Sequence, residues 1–182
     1  AEKYPSVENL NAETLQALEE VRLKLASKYT KVESTNEMFE ACMEAYEKMD
    51  VVIKAAALAD YRPRDVADQK IKKKTDDALT VVMDKNPDIL KELGARKAHQ
   101  ILVGFAAETQ NLLDNAREKI VKKNLDMIVA NDVTAAGAGF NSDTNIVKFL
   151  FPSGEVRSLE QMAKTQVANI LLDTVMELKA KK

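Results

Sequence analysis

Three short, almost wholly apolar runs divide the chain: 51–57 (VVIKAAA), 101–105 (ILVGF) and 125–130 (LDMIVA). They are rich in β-branched residues and too short for buried helices, so they predict buried strands. Between and around them, apolar residues recur every three or four positions. Leu15, Leu18, Val21 and Leu25 predict a helix over 12–28, capped by Asn11. Met38, Phe39, Cys42, Met43 and Tyr46 predict a second helix, opened by the capping-box spacing of Ser34 and Glu37. Ile89, Leu90 and Leu93 mark a third helix with Pro87 at its first position and Gly94 weakening or ending it. Leu112, Leu113, Ala116 and Ile120 mark a fourth over about 109–123. A last helix is expected from about Leu159, burying Met162, Val167, Ile170, Leu171, Val175 and Leu178.

Strands that alternate with helices predict βαβ units and a mostly parallel sheet. Two further apolar stretches fit less regularly. Residues 79–83 (LTVVM) read as a short strand. Residues 145–151, the PSGE turn at 152–155 and the chain from Val156 read as an antiparallel hairpin at a sheet edge. The expected fold is therefore α/β, a Rossmann-like mostly parallel sheet flanked by helices with an antiparallel edge hairpin. With no repeat and no break in composition, 182 residues are read as one domain with an atypical lead-in at 1–34.

Composition narrows the function classes. Apolar residues make up 46% and charged residues 31%, as in a globular protein. A net charge of −2 provides no basic field for nucleic acid or an anionic membrane surface. No apolar run approaches the ~20 residues of a membrane helix, and the polar start AEKYPSVENLN is unlike a signal peptide. A lone cysteine, Cys42, fits a reducing cytoplasm. It falls on the apolar face of its helix, which argues against a nucleophile. One cysteine and one surface histidine, His99, cannot assemble a zinc site from soft ligands.

The stretch 51–74 concentrates the candidate chemistry. Ligands of open α/β sheets bind at the carboxyl ends of the strands. The small residues at 55–57 and Ala59 leave space there, Asp60 offers an acceptor, and Lys70, Lys72, Lys73 and Lys74 offer cationic donors. Pro87 and Asp88 open a helix whose free N–H groups favour anions. Phe105 ends the next strand, and Lys119 and Lys123 lie four apart on one helix face. Together these groups suit a triphosphate. The plainer reading of each fragment alone is a core strand, a solvated basic loop and a solvated helix face. Gly137-Ala138-Gly139 lacks a third glycine and a preceding strand, and no phosphate-loop motif occurs, so a dinucleotide-dependent oxidoreductase has no fingerprint here.

In order along the chain stand AAALADYRP, KIKKK, KNPDIL, ILVGFAAETQN, KKNLDMIVANDV and GAGFNSDTN. From about Thr35 to the C-terminus, this series resembles bacterial phosphopantothenoylcysteine synthetase, the second domain of the bifunctional coenzyme A biosynthesis flavoprotein. The resemblance implies a homodimer and a Mg²⁺-assisted ligase. CTP would activate 4′-phosphopantothenate as an acyl-cytidylate with release of pyrophosphate, and L-cysteine would then displace CMP. By motif, it implies nucleotide contacts from Lys54, Ala55, Ala56 and Asp60, from Pro87, Asp88, Ile89 and Leu90, and from Phe105, Lys119 and Lys123. Lys70 would support acyl-cytidylate formation. Asn131 and Asp132 match the family without an assigned role. A fused or associated decarboxylase is a further implied partner. Residues 1–30 contain no glycine, where the family has an N-x-S-S-G-x-x-G segment. The alternative is accordingly a nucleotide-binding or dimerisation module that keeps the cytidine pocket without completing ligation.

Overall fold

The computed structural model describes residues 29–72, 78–108, 112–132 and 143–182. The chain divides after Glu33 into two units, and the architecture below is that of the second, Ser34–Lys182. The predicted helix over 12–28, the glycine-rich residues 134–142, and Lys73 and Lys74 lie outside the described residues.

The elements, in chain order, are α1 (Thr35–Tyr46), β1 (Val51–Lys54), β2 (Tyr61–Pro63), β3 (Met83–Lys85), α2 (Ile89–Ala95), β4 (Ile101–Glu108) and α3 (Leu112–Lys122). There follow β5 (Met127–Asp132), β6 (Thr144–Asn145), β7 (Val147–Leu150), β8 (Val156–Ser158), β9 (Met162–Ala163) and α4 (Lys164–Ala180). Five strands form the main sheet in the order β1-β4-β5-β7-β8. β1, β4 and β5 are parallel, with Val51 opposite Ile101 and Val103 opposite Met127. β7 and β8 add the expected antiparallel hairpin, with Ile128 opposite Leu150 and Leu150 opposite Val156. The expected α/β fold is present.

Alternation along the strands splits the apolar side chains between two faces. Leu102, Ile128 and Leu150 pack with Tyr46 of α1, Ile89, Leu90 and Leu93 of α2, and Ala116 and Ile120 of α3. Ile101, Val103, Met127, Val129 and Phe149 pack on the opposite face with Val167, Leu171 and Val175 of α4. The capping box at α1 is formed: Glu37 N–H donates to Ser34 Oγ at 3.2 Å, and Ser34 N–H to Glu37 Oε2 at 3.3 Å. Cys42 is half-buried against the first core, and burial raises its thiol pKa against the opposing charge of Lys54.

Several boundaries differ from the sequence reading. β4 runs on to Glu108, so Phe105 lies within it and does not end it, and β5 runs to Asp132. α2 starts at Ile89 with Asp88 as its cap, so Pro87 precedes the helix. β1 ends at Lys54 rather than at residue 57, since only Val51–Lys54 have partners in β4 and the alanines beyond supply no cross-strand packing. The run 79–83 is strand only from Met83, and β3 pairs with β2 in a separate antiparallel ribbon. Leu79, Val81, Val82 and Met83 are exposed there, and the β-branched residues themselves, Thr80, Val81 and Val82, lie outside the strand. The third strand begins at Met127, two residues late, because Asn124 and Leu125 complete the end of α3. The last helix begins at Lys164 rather than near Leu159, because Met162 and Ala163 pair with Asn145 and Thr144.

The end of α3 explains Gly94. Asn124 adopts φ 49°, its N–H bonds Val121 O at 3.3 Å, and Leu125 N–H bonds Ile120 O at 3.0 Å, closing the helix through a left-handed residue. Asn124 Nδ2 then donates to Gly94 O at 3.0 Å. A Cβ on Gly94 would lie 1.9 Å from Lys123 O. Gly94 thus lies in the last turn of α2, one residue before its end, and lets two backbones touch. Gly94→Ala is expected to cost roughly 1–3 kcal/mol or more in urea unfolding, as overpacking against backbone does. Gly154→Ala, at φ 88° with nothing within 4 Å, should cost about 1–2 kcal/mol, the strain of a left-handed residue alone. A Gly94→Ala variant as stable as the unaltered chain would contradict the close contact.

Candidate functional site

Lys54 is the last residue of β1 and shares its face with Val52, which packs against the first core. It lies at the carboxyl end of the strand, where the chain leaves the sheet through Ala55–Ala59. Its Nζ donates to Ala56 O at 3.0 Å. Burial lowers its pKa most, the Lys123 charge lowers it further, and Asp88, Cys42 and Asp60 oppose the shift.

Asp88 stands across from it. One carboxylate oxygen, Oδ1, accepts Lys91 N–H at 3.2 Å and so caps α2. The same carboxylate takes Lys123 Nζ at 3.2 Å on Oδ1 and 2.9 Å on Oδ2. Burial pushes the carboxyl up, but the hydrogen bonds from Lys123 and the Lys91 N–H, with the charges of Lys123 and Lys54, leave it below its ordinary value. Lys123 follows α3 directly, so this ion pair ties the end of one helix to the start of another.

The third part was not foreseen. Asn86 is buried, its Nδ2 donates to Ala59 O at 2.8 Å, and its N–H donates to Asp60 O at 2.8 Å. Arg62 Nη1 donates to Asn86 Oδ1 at 3.0 Å and to Lys85 O at 2.9 Å. These bonds hold the 59–62 segment against 85–86. In sequence, Asn86 was only the first residue of an NPD turn. Nothing local signals a partner 27 positions away.

The result is a cavity of about 320 Å³ bounded by Lys54, Leu58, Ala59, Asp60 and Tyr61 on one side, and by Lys85, Asn86, Pro87, Asp88, Ile89 and Lys123 on the other. Three lysines face two aspartates in this lining, a balance that suits an anion with polar edges. Of the residues singled out in sequence, Lys54, Asp60, Pro87, Asp88, Ile89 and Lys123 meet here. The others are placed elsewhere. Ala55 and Ala56 are exposed between β1 and the cavity wall. Leu90 is buried in the first core, and Gly104 makes room for it: a Cβ there would meet Leu90 Cδ1 at 3.0 Å. Phe105 packs toward the second core, on the α4 face. Lys119 is half-buried one turn before Lys123, and Lys70 is exposed beyond β2; neither is among the described residues lining the cavity. Among the described residues no group of three His, Cys, Asp or Glu side chains is placed to hold a metal ion. No described helix is long and apolar enough to cross a membrane.

Comparison with known proteins accords with this architecture. Residues 13–178 match the family described as the DNA/pantothenate metabolism flavoprotein C-terminal domain. The chain belongs to this family. The family's relatives include the coenzyme A biosynthesis bifunctional protein CoaBC of Bacillus subtilis strain 168, 48% identical over 152 residues, covering 84% of this chain and 37% of the relative. The CoaBC of Escherichia coli K12 is 43% identical over 144 residues, covering 77% of this chain and 35% of the relative. The chain therefore spans little more than a third of the length of these relatives. The crystal structure of the C-terminal domain of a CoaBC protein superposes with a TM-score of 0.67 at 40% identity, covering 84% of this chain and 68% of that one. The flavoprotein of Streptococcus pneumoniae shares the fold, with a TM-score of 0.68 at 21% identity over 82% of this chain and 72% of that one. The motif-based resemblance to the synthetase domain of the bifunctional protein is thereby borne out.

The Asp88–Lys123 pair makes stability depend on pH. A carboxyl held below its ordinary value stabilises the fold above the unfolded pKa, near 3.9, and that contribution is lost as pH falls through the lower folded value. Asp88→Asn keeps a helix-capping side chain and removes the charge. Its urea midpoint should lie below that of the unaltered chain at pH 6, and the gap should close as pH is taken below about 4. A gap that stays constant to pH 2 would mean the charge of Asp88 contributes nothing.

Proposed function

We propose that this domain is a phosphopantothenate–cysteine ligase of coenzyme A biosynthesis, using CTP as activator. The observation that carries the reading is the cavity at the end of β1, where Lys54, Lys85 and Lys123 face Asp60 and Asp88, in a chain of the family to which CoaBC proteins belong. In the proposed first step the carboxylate of 4′-phosphopantothenate attacks the α-phosphorus of CTP, a P–O bond forms, and pyrophosphate leaves. In the second, the amine of L-cysteine attacks the acyl carbon, the C–N bond forms, CMP leaves and a proton passes to solvent.

This chain's residues contribute binding and charge. Lys54 and Lys123 would neutralise the triphosphate, which lowers the cost of bringing a second anion, the carboxylate, against it. Asp60 and the polar edge formed by Asn86 would meet the cytosine and sugar. Lys70 would reach the reacting phosphoryl group from the connection beyond β2. Mg²⁺ fits the donor set as an ion carried on the nucleotide, which takes one or two carboxylates rather than a protein cage. The ion would supply charge neutralisation on the phosphates.

The decisive measurement is pyrophosphate release from CTP and Mg²⁺ that depends on 4′-phosphopantothenate, followed by CMP formation when cysteine is added. Lys70→Gln should abolish acyl-cytidylate formation while leaving the melting temperature unchanged; wild-type turnover in that variant would assign the role to another lysine.

A homodimer is the second part of the reading. The β2–β3 ribbon stands apart from the main sheet and exposes Tyr61 and Met83 at 56% and 46%, with Val82, just before β3, at 51%. Apolar side chains grouped in this way are a surface for a second copy. Val82→Glu with Met83→Glu should shift the sedimentation coefficient from dimer to monomer. A chain that is monomeric before substitution would sink this part alone. A fused decarboxylase, in a cytoplasmic pathway enzyme, is the corresponding proposal for the longer protein, since the relatives are bifunctional.

A further inference from the structure

The carboxyl end of β5 carries a polar group that the cavity does not use. Asn131 stands in β5 opposite Ala107 of β4 and Val147 of β7. By strand alternation it shares a face with Met127 and Val129, whose side chains lie in the core beneath α4. Its Oδ1 is fully enclosed and accepts no hydrogen bond among the described residues. Buried side-chain carbonyls nearly always have a donor, and one without is costly until a donor arrives. The adjoining Ala107, on the same face, is exposed. The strand end beside the enclosed oxygen therefore lies at the surface.

The surroundings limit what that group is. The charged cavity opens on the α1–α3 face, whereas Asn131 and Phe105 lie on the α4 face of the same strand ends. Phosphates and carboxylates bring only acceptors and cannot complete a carbonyl oxygen. Donors come from the cytosine amino group and sugar hydroxyls, which the proposed reading puts in the charged cavity, from the amide and hydroxyls of phosphopantothenate, and from the amine that enters in the second step. Asn131 is neutral, so it can orient an unprotonated amine without taking its proton or fixing it as ammonium.

We propose that Asn131 Oδ1 accepts a hydrogen bond from the amine of the incoming amino acid and positions it for attack on the acyl carbon. The inference rests on the ligase reading. The C–N bond forms as the C–O bond to CMP breaks, the amine supplies the electron pair, and its proton passes to solvent; Asn131 only orients the nitrogen.

The test is steady-state CMP formation by the 182-residue chain with CTP, Mg²⁺, 4′-phosphopantothenate and L-cysteine, for the unaltered chain, Asn131→Leu and Asn131→Asp. Leucine should raise KM for cysteine about tenfold, the loss of one substrate hydrogen bond. KM for phosphopantothenate and CTP should stay within about twofold, and the melting temperature should not fall, since an unpaired buried acceptor is removed. Aspartate, which keeps an oxygen at the same reach, should recover part of the loss. If leucine lowers the melting temperature, Asn131→Ala carries the same comparison. An unchanged KM for cysteine overturns the assignment, as does a rise confined to phosphopantothenate, which would place its amide or hydroxyl donors on Asn131 instead. Absence of pyrophosphate release from the unaltered chain overturns the ligase reading, and this inference with it.

Discussion

β4 has to be buried on both faces and paired on both edges. Ile101, Leu102 and Val103 have almost no exposed surface, and β1 and β5 flank them in parallel. Its parallel neighbours are reached through crossovers carrying α2 and α3, and these cover one face of the sheet, so the other apolar face has to be covered by a separate helix, α4. The rest follows from this demand. α1, α2 and α3 close one face, α4 closes the other, and the carboxyl ends of β1, β4 and β5 are brought to one edge. The cavity lies at one end of that arrangement, and Asn131 at another point along it.

The fold was legible where burial and periodicity agreed. Ile101–Phe105 and Met127–Ala130 are continuous apolar runs in central strands, whereas Val51–Ile53, read as buried in sequence, forms the edge strand β1, with Val51 and Val52 partly buried and Ile53 exposed. The reading failed where burial and local preference part. Val81 and Val82 have the side chains of strand residues, yet they are exposed beside a detached ribbon. Met162 repeats at helical spacing with later residues, but a two-residue pairing with Asn145 claims it first. Such pairings involve distant segments, and no window of sequence contains both.

The candidate site was legible in its charges and not in its framework. Lys54, Asp60, Asp88 and Lys123 stand out as residue types at the ends of elements, which is where ligand groups of an open sheet are found. Asn86 and Arg62 are the groups that hold the wall in place, through bonds to Ala59, Asp60 and Lys85. Their importance lies in which backbone groups they satisfy, and that depends on two chain segments meeting. Gly94 is similar. In sequence it reads as a helix breaker, and in the fold it is the point where the backbones of α2 and of the residues after α3 come together.

Lys54 and Lys123 are both cations at the cavity, but their present partners differ in kind. Lys54 rests on a neutral carbonyl of its own connection, Ala56 O, while Lys123 is shared with the carboxylate of Asp88. Drawing Lys54 away strands only a carbonyl that water can solvate. Drawing Lys123 away leaves the Asp88 carboxylate, which also caps α2, without its counter-charge. The two lysines therefore form a graded reserve of positive charge. Of the two, Lys54 is the cation free to exchange partners, while Lys123 joins the end of α3 to the start of α2 and so holds the walls of the cavity together.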